Sequence, residues 1–257
     1  MSIHRTHGIV LRSRKFRESS KIVVFFTRRY GKMSVIAKGS LKPKSKFGSS
    51  LELFTRSSLI FYKKENRDLH TLSHSEVLNP NEDIRKDVVK LAYASAAGEM
   101  VERLVPNEEQ NETLYELLDA VLKQISVADR PQLELILASY TLKMLHAVGY
   151  GPQLDGCVRC GKDLADEVWF GLHSGGALCP ACHNQDLHAM EMRRETLELM
   201  GKFQSVSMAR LRETASADEF SREAADILYA FVRAQISEGA KIRSLDFLER
   251  MRDSSFA

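Results

Sequence analysis

The sequence predicts an α+β chain of more than one domain: a five-stranded amino-terminal barrel, then a helical domain with a four-cysteine ribbon inserted in it. Three observations carry this. The apolar period changes from 2 to 3.6 at Asn79-Pro80-Asn81. The only four cysteines, Cys157, Cys160, Cys179 and Cys182, stand as two C-x-x-C pairs with eighteen residues between them. Charge is divided as well: residues 1–80 hold 17 Lys and Arg against 5 Asp and Glu, a balance of +12, while residues 81–257 hold 20 against 29, a balance of −9. The boundaries that follow are 1–80 for the barrel, 81–257 for the helical domain and 153–188 for the ribbon.

The barrel strands are read in order. Gly8-Ile9-Val10-Leu11-Arg12 is apolar and β-branched. Lys21 to Thr27 follows, with Ile22, Val24 and Phe26 on one face by alternation. Arg28 to Lys32 is a turn, with Gly31 as its left-handed residue. Met33 to Lys38 alternates again. Leu51 to Tyr62 and Leu69 to Val77 are two longer strands, joined by a hairpin over Lys63-Lys64-Glu65-Asn66-Arg67-Asp68. Five strands at this spacing suggest a small closed barrel, an OB-fold first and an SH3-like barrel second. His70 and His74 would share a strand face and read as surface residues of the hairpin.

A folded domain of +12 faces a polyanion, and nucleic acid is the commonest one. Arg12, Arg14, Lys15 and Arg17 surround the first turn. Lys38, Lys42, Lys44 and Lys46 lie in a pliable Gly-Pro-Ser loop that holds no acid. Alternate lysines of this kind can follow a phosphate backbone. Phe16, Tyr30 and Phe47 sit in or beside basic turns and are candidates for base stacking; Phe16 and Phe47 could instead plug the ends of the barrel.

Beyond Asn81 the pattern is helical. Glu82 to Val105 carries Ile84, Val88, Leu91 and Met100 at helical spacing, and Pro106 ends it. Asn111 caps a second helix with Leu114, Leu118, Val121 and Ile125. Asp129 and Pro131 start a third, which Gly149-Tyr150-Gly151-Pro152 stops. Helical pattern resumes over Arg194–Phe203 and from about Asp218 to Ser237, with a tail at 241–249. The apolar stripes read as the core of a bundle.

Cys157, Cys160, Cys179 and Cys182 have the spacing of a four-cysteine zinc site. A two-residue gap lets one tight turn present two thiolates to one ion. Gly161 follows the first pair, where such a turn needs positive φ, and His183 takes the matching place after the second. Val168 to Leu172 reads as a strand, His173-Ser174-Gly175-Gly176 as a turn, and Ala177-Leu178 as the return. One structural Zn2+ is expected, with no position open for water or substrate. His183 and His188 are nearby spare ligands. A redox pair would need only one C-x-x-C, and paired disulfides would need an oxidising compartment; Met1-Ser2-Ile3-His4-Arg5 does not read as a secretory signal. No run has the length of a membrane span, and with the thiols committed to a metal site a cytoplasmic chain is expected.

No phosphate-loop, H-E-x-x-H or G-x-S-x-G pattern is present, and no enzymatic activity is expected. An RNA-binding accessory factor of translation or transcription, a zinc hydrolase and a pure scaffold are the competing readings. Several stretches narrow the choice: Gly8-Ile9-Val10-Leu11 with Glu18-Ser19-Ser20-Lys21, then Tyr30-Gly31-Lys32 followed by Ala37-Lys38-Gly39. Further along come Leu145-His146-Ala147-Val148-Gly149-Tyr150 and Arg243-Ser244-Leu245-Asp246-Phe247-Leu248. Their order, with the cysteine quartet, resembles the bacterial RecO family of DNA repair proteins over nearly the whole chain. The resemblance implies a recombination mediator associated with the nucleoid. Such a protein binds single- and double-stranded DNA through its OB-fold and anneals complementary strands. It meets the single-stranded DNA-binding protein SSB and RecR (RecF indirectly), and helps RecA load. It also implies no membrane partner and no small-molecule substrate. Members without the cysteines make the metal site a stabiliser and not the active element.

Overall fold

Five strands open the chain in the computed structural model, which describes residues 2–63, 67–214, 218–235 and 241–254. They are β1 (Ser2–Phe16), β2 (Ser20–Thr27), β3 (Gly31–Ala37), β4 (Arg56–Lys63) and β5 (Leu69–Asn79). They close in the order β1-β2-β3-β5-β4. β4 returns antiparallel to β1, from Ser2 opposite Lys63 to Ile9 opposite Arg56, and β3 meets β5 in a short parallel pair at Ser34–Ile36. This crossover closure makes the barrel an OB-fold, the first of the two expectations. The hairpin turn at 64–66 and the helix end at Ile236 and Ser237 lie outside the described residues.

Compactness divides the chain into two units, residues 1–94 with 98–126 and residues 95–97 with 127–257. The change from strand to helix falls where the period changes, between Asn79 and Glu82.

In the first unit, Val10, Val23, Phe25, Met33, Val35, Leu59, Phe61 and Leu72 fill the barrel. Ile22, Val24 and Phe26 point the other way and are buried too. An apolar run over Lys21–Thr27 therefore reads as a strand covered on both faces. The cover is helical: α1 (Glu82–Lys86), α2 (Val88–Leu104) and α3 (Glu112–Val127). The Tyr115 ring lies 6.3 Å from that of Phe26. Arg56 meets Asp119 at 3.0 Å, Arg28 meets Glu112 at 2.7 Å, and Lys32 Nζ donates to the Glu102 carbonyl at 2.5 Å.

Three expectations are corrected here. The strand expected from Leu51 begins at Arg56, because Gly48–Leu51 forms a 3-10 turn and Phe54 takes a left-handed φ of +61°. The single helix expected over 82–105 breaks at Asp87, whose extended backbone frees its carboxylate to cap α2 at the amides of Val89 and Lys90, 2.8 and 3.3 Å away. His70 is 1% exposed, while His74 is exposed. A β-bulge, where Ile60 faces His74 but Phe61 faces Leu72, inserts a residue and turns the two imidazoles to opposite faces. Asn111 caps α3 as expected, its Oδ1 accepting from Leu114 N at 2.8 Å.

The second unit is built on α4 (Gln132–Ala147), which packs against α5 (Arg194–Ser205) and α7 (Glu219–Gln235). Tyr150 N donates to Leu145 O at 2.8 Å and Gly149 N to His146 O at 3.2 Å, with Gly149 at φ +84°. This paired closure ends α4 where the Gly-Tyr-Gly-Pro signal predicts. A small sheet interrupts the helices: β6 (Val168–Gly171), β7 (Gly176–Leu178) and β8 (Met190–Met192), in the order β7-β6-β8. β6 and β7 match the expected ribbon strands; β8 is additional. Phe170 of β6 meets Phe231 of α7 edge to face at 5.3 Å. The short α6 (Leu211–Thr214) and α8 (Arg243–Ser254) complete the unit, with Arg252 of α8 held by Glu134 and Asp226 at 3.2 and 2.8 Å.

Candidate nucleic-acid interface and metal centre

β2 and β3 form one hairpin, so the loop that follows β3 returns to the end of the barrel where β1 turns into β2. Leu41 N donates to Ser19 O at 3.0 Å and ties the two connections together. Lys42 N bonded to Gly39 O and Ser45 N bonded to Lys42 O fold the loop into successive turns. At this junction Phe16, Arg17, Ile36, Lys38 and Lys42 line an open cleft of about 700 Å3. Lys44 and Lys46 stand exposed on the same loop, and Arg14 and Lys15 stand exposed on the last turn of β1. Among the described residues none of these seven cations has an ion-pair partner, whereas Arg12 pairs with Glu102 at 3.4 Å and Lys21 with Glu52 at 3.1 Å. Acids of the helices and of the loop before β4 thus neutralise part of the barrel's charge and leave these seven cations unpaired, with Glu18 the one acid lining the cleft.

The aromatic candidates separate. Phe16 is half-buried, lines the cleft and carries the Arg17 guanidinium 5.4 Å above its ring. Phe47 is 4% exposed and belongs to the barrel core. It is a plug, and its place among the DNA-binding candidates is withdrawn because no base can reach its face. Tyr30 sits on the β2–β3 turn at the other end; its hydroxyl is bonded to His4 Nδ1 at 2.9 Å and its ring meets Phe61 edge-on at 5.3 Å. OB-folds commonly bind ligands across strands 2 and 3. In this chain the outward side of β2 is roofed by its own helices, so the loop end is the open part of that surface.

In the ribbon, the four Sγ atoms of Cys157, Cys160, Cys179 and Cys182 all lie within 4.8 Å of one another, and those of Cys160 and Cys179 are 3.8 Å apart. A tetrahedron of metal–sulfur bonds of about 2.3 Å has sulfur–sulfur edges of about 3.8 Å. The quartet can hold one metal ion. Two similar turns present it: Gly161 N donates to Cys157 O at 2.8 Å and His183 N to Cys179 O at 3.1 Å. Gly161 has the expected positive φ of +71°. His183 does not; it continues into a 3-10 turn over His183–Gln185. Its ring is stacked on Trp169 at 4.2 Å and its Nδ1 donates to Pro180 O at 2.8 Å, while His188 packs against His173. The metal-capable group holds the four cysteines without either histidine.

Electrostatics favour a cation there. Burial resists ionisation of Cys157, but the backbone amides of Cys179, Cys160 and Arg159 outweigh it and bring the thiol down to about 6. Burial and the three neighbouring sulfurs push Cys182 up to about 12. Four crowded thiols cannot all ionise together unless a cation offsets the charge. Asp186 braces the ribbon from beside the site. Its carboxylate accepts from the amides of His173, Ser174 and His188 at 2.9, 2.8 and 3.1 Å, and these bonds hold its pKa below the usual range against the opposing effect of burial.

Comparison with known proteins agrees with this anatomy. Residues 1–81 match the family described as Recombination protein O N terminal, and residues 85–245 match that described as Recombination protein O C terminal. The chain belongs to the RecO family. A DNA repair protein RecO of Symbiobacterium thermophilum is 31% identical over 257 residues, 99% of this chain and 100% of that protein. One of Exiguobacterium sp. is 34% identical over 219 residues, 84% of each chain. One of Halalkalibacterium halodurans is 28% identical over 253 residues, 98% of this chain and 97% of that protein. Within this RecO-family chain, sequence reading missed the bracing role of Asp186, which only the folded turn reveals. No helix among the described residues is long and apolar enough to cross a membrane.

Proposed function

We propose that this chain is a DNA-binding mediator of recombinational repair. It binds single- and double-stranded DNA at the loop end of the OB-fold, anneals complementary strands, and with SSB and RecR as partners helps load the recombinase on SSB-coated single strands. Membership of the RecO family supports the repair role. The single observation that carries the binding reading is the cluster of Arg14, Lys15, Arg17, Lys38, Lys42, Lys44 and Lys46 beside Phe16, without ion-pair partners among the described residues and opposed in the cleft by Glu18 alone.

The mechanism is electrostatic. The cations neutralise backbone phosphates and release their counterions, so affinity falls steeply with salt. Two strands brought to one basic surface repel each other less. Stacking on Phe16 is indifferent to base identity, as annealing of arbitrary sequences requires. No step needs a catalytic residue. One structural Zn2+ is proposed in the ribbon, where Cys157, Cys160, Cys179 and Cys182 would hold it; the ion would supply rigidity to a module too small for its own core. The test is annealing of two complementary DNA strands, each coated with SSB, across a salt series. Acceleration that fades as salt rises is expected. Failure of the folded protein to accelerate pairing overturns the mediator reading and favours the RNA-binding alternative.

A further inference from the structure

We propose a second phosphate-binding site on the barrel, at the opposite end of β1 from the loop cluster. Arg5, His7, Arg28, Arg29 and Ser58 line a cleft of about 180 Å3. Two strands and a turn assemble it: Arg5 and His7 are exposed on the outward side of β1, Ser58 lies opposite His7 on β4, and Arg28 and Arg29 come from the β2–β3 turn. Arg28 N donates to His7 O at 3.0 Å, which fixes the turn against the strand.

The charges in this cleft differ in availability. Arg28 is committed to Glu112 and Glu116 at 2.7 and 3.2 Å. Arg5 and Arg29 have no ion-pair partner among the described residues. The cleft therefore presents two free guanidiniums, a Ser hydroxyl and an imidazole around a space whose lining contains no acid. Guanidiniums suit the paired oxygens of a phosphate. Beside the cleft the outward face of the barrel stays uncovered: Ile3 is 62% exposed, and Ile60 and Tyr62 across from Arg5 and Ile3 on β4 are half-exposed. An apolar and aromatic surface edged by arginines is what a nucleic-acid strand needs.

Arg5 and Phe16 are eleven residues apart on one strand, a path of at most about 36 Å at the strand rise. The two clefts share no lining residue and are treated as separate footprints. The ligand is a backbone phosphate, from either a second strand or the continuation of a long one. This inference rests on the proposed DNA-binding function and extends it: one site holds a strand and the other holds what is paired to it or what trails from it.

The experiment uses the full chain and two oligothymidylates, one of about six nucleotides, within the site size of a single OB-fold, and one several times longer. The wild type is expected to bind two short oligonucleotides per chain at saturation. R5A/R29A is expected to bind one, and R5K/R29K to recover part of the second. On the long strand, a salt slope lowered by about 0.7 per lost contact assigns the site to the same strand. An unchanged slope with annealing slowed several-fold assigns it to a second strand. One short oligonucleotide on the wild type, or two on R5A/R29A, overturns the proposal. K42A/K44A/K46A is measured alongside, since loss of binding there reports on the loop cluster alone and separates the two readings.

Discussion

Gly31 lies directly beneath the backbone of Glu109: a Cβ added there would collide with the Glu109 carbonyl and come within 2.8 Å of its amide nitrogen. The same glycine has φ +60°. It ends the β2–β3 turn, and the segment after α2 crosses it, with Glu108 N donating to Lys32 O at 2.9 Å.

Gly31→Ala is therefore expected to be strongly destabilising. The left-handed backbone alone costs an alanine about 1–2 kcal/mol, and the collision with main chain adds to it, because backbone cannot swing aside as a side chain can. Chemical denaturation should show a lower midpoint with an unchanged slope. A midpoint within error of the wild type would mean that the crossing segment is not seated on the turn.

Phe16 and Phe47 should respond oppositely to truncation. Phe47→Ala opens the barrel core and is expected to cost about 3–5 kcal/mol of stability. Phe16→Ala should leave stability nearly intact and weaken single-strand binding by about 1–3 kcal/mol for the stacked base. Thermal melts and fluorescence anisotropy on the same two variants decide it. An equal loss of binding by both, with Phe47→Ala still folded, would return Phe47 to the interface.

K42A/K44A/K46A should weaken DNA binding without changing base preference. Each lost phosphate contact lowers the salt slope by about 0.7 on a single strand, so up to about 2 in all. The measurement is the slope of log affinity against log salt. Intact affinity would move the interface away from this loop.

The proposed zinc site has a built-in reporter. Trp169 is the only tryptophan and stacks on His183, which follows Cys182 directly. Chelation at high concentration should release one Zn2+ per chain and change tryptophan emission in the same step. Cys157→Ser should give the altered emission without chelator. Metal analysis finding no zinc in freshly purified protein, with emission indifferent to chelator, would refute a structural zinc.

Much of this was legible in the sequence, and the misses share a cause. The strands of the barrel, the cap at Asn111, the stop at Gly149 and the cysteine pairs are local signals, and local signals survive into the fold. His70 was misread because a bulge between Leu72 and His74 changes the facing of every residue on one side of it. Arg12 looked like a phosphate ligand but meets Glu102, and Arg28 looked like a plain turn residue but meets Glu112. Such long-range pairings depend on how helices return to the barrel, which no window of sequence contains. β8 is three residues long and was invisible because its pairing with β6, not its composition, makes it a strand.

Glu108 gives the fold an acid-sensitive fastening. Its carboxylate bridges His70 Nε2 at 2.8 Å and Lys63 Nζ at 2.7 Å, joining the segment after α2 to β4 and β5. Burial opposes its ionisation, but the bonds from Lys63 and His70 outweigh burial and hold its pKa below the usual carboxylate value. A depressed folded pKa stabilises the fold above the unfolded value of about 4.3, and that contribution is lost as pH falls through the folded value. Glu108→Gln should therefore be less stable than the wild type near neutrality, with the gap closing on acidification through this window. Denaturation midpoints of both proteins from pH 3 to pH 7 read the gap directly. No gap at any pH would mean that the carboxylate contributes shape and not charge, and that the fastening works equally well with a neutral amide; a constant gap would mean that the lost stability does not follow the titration of Glu108.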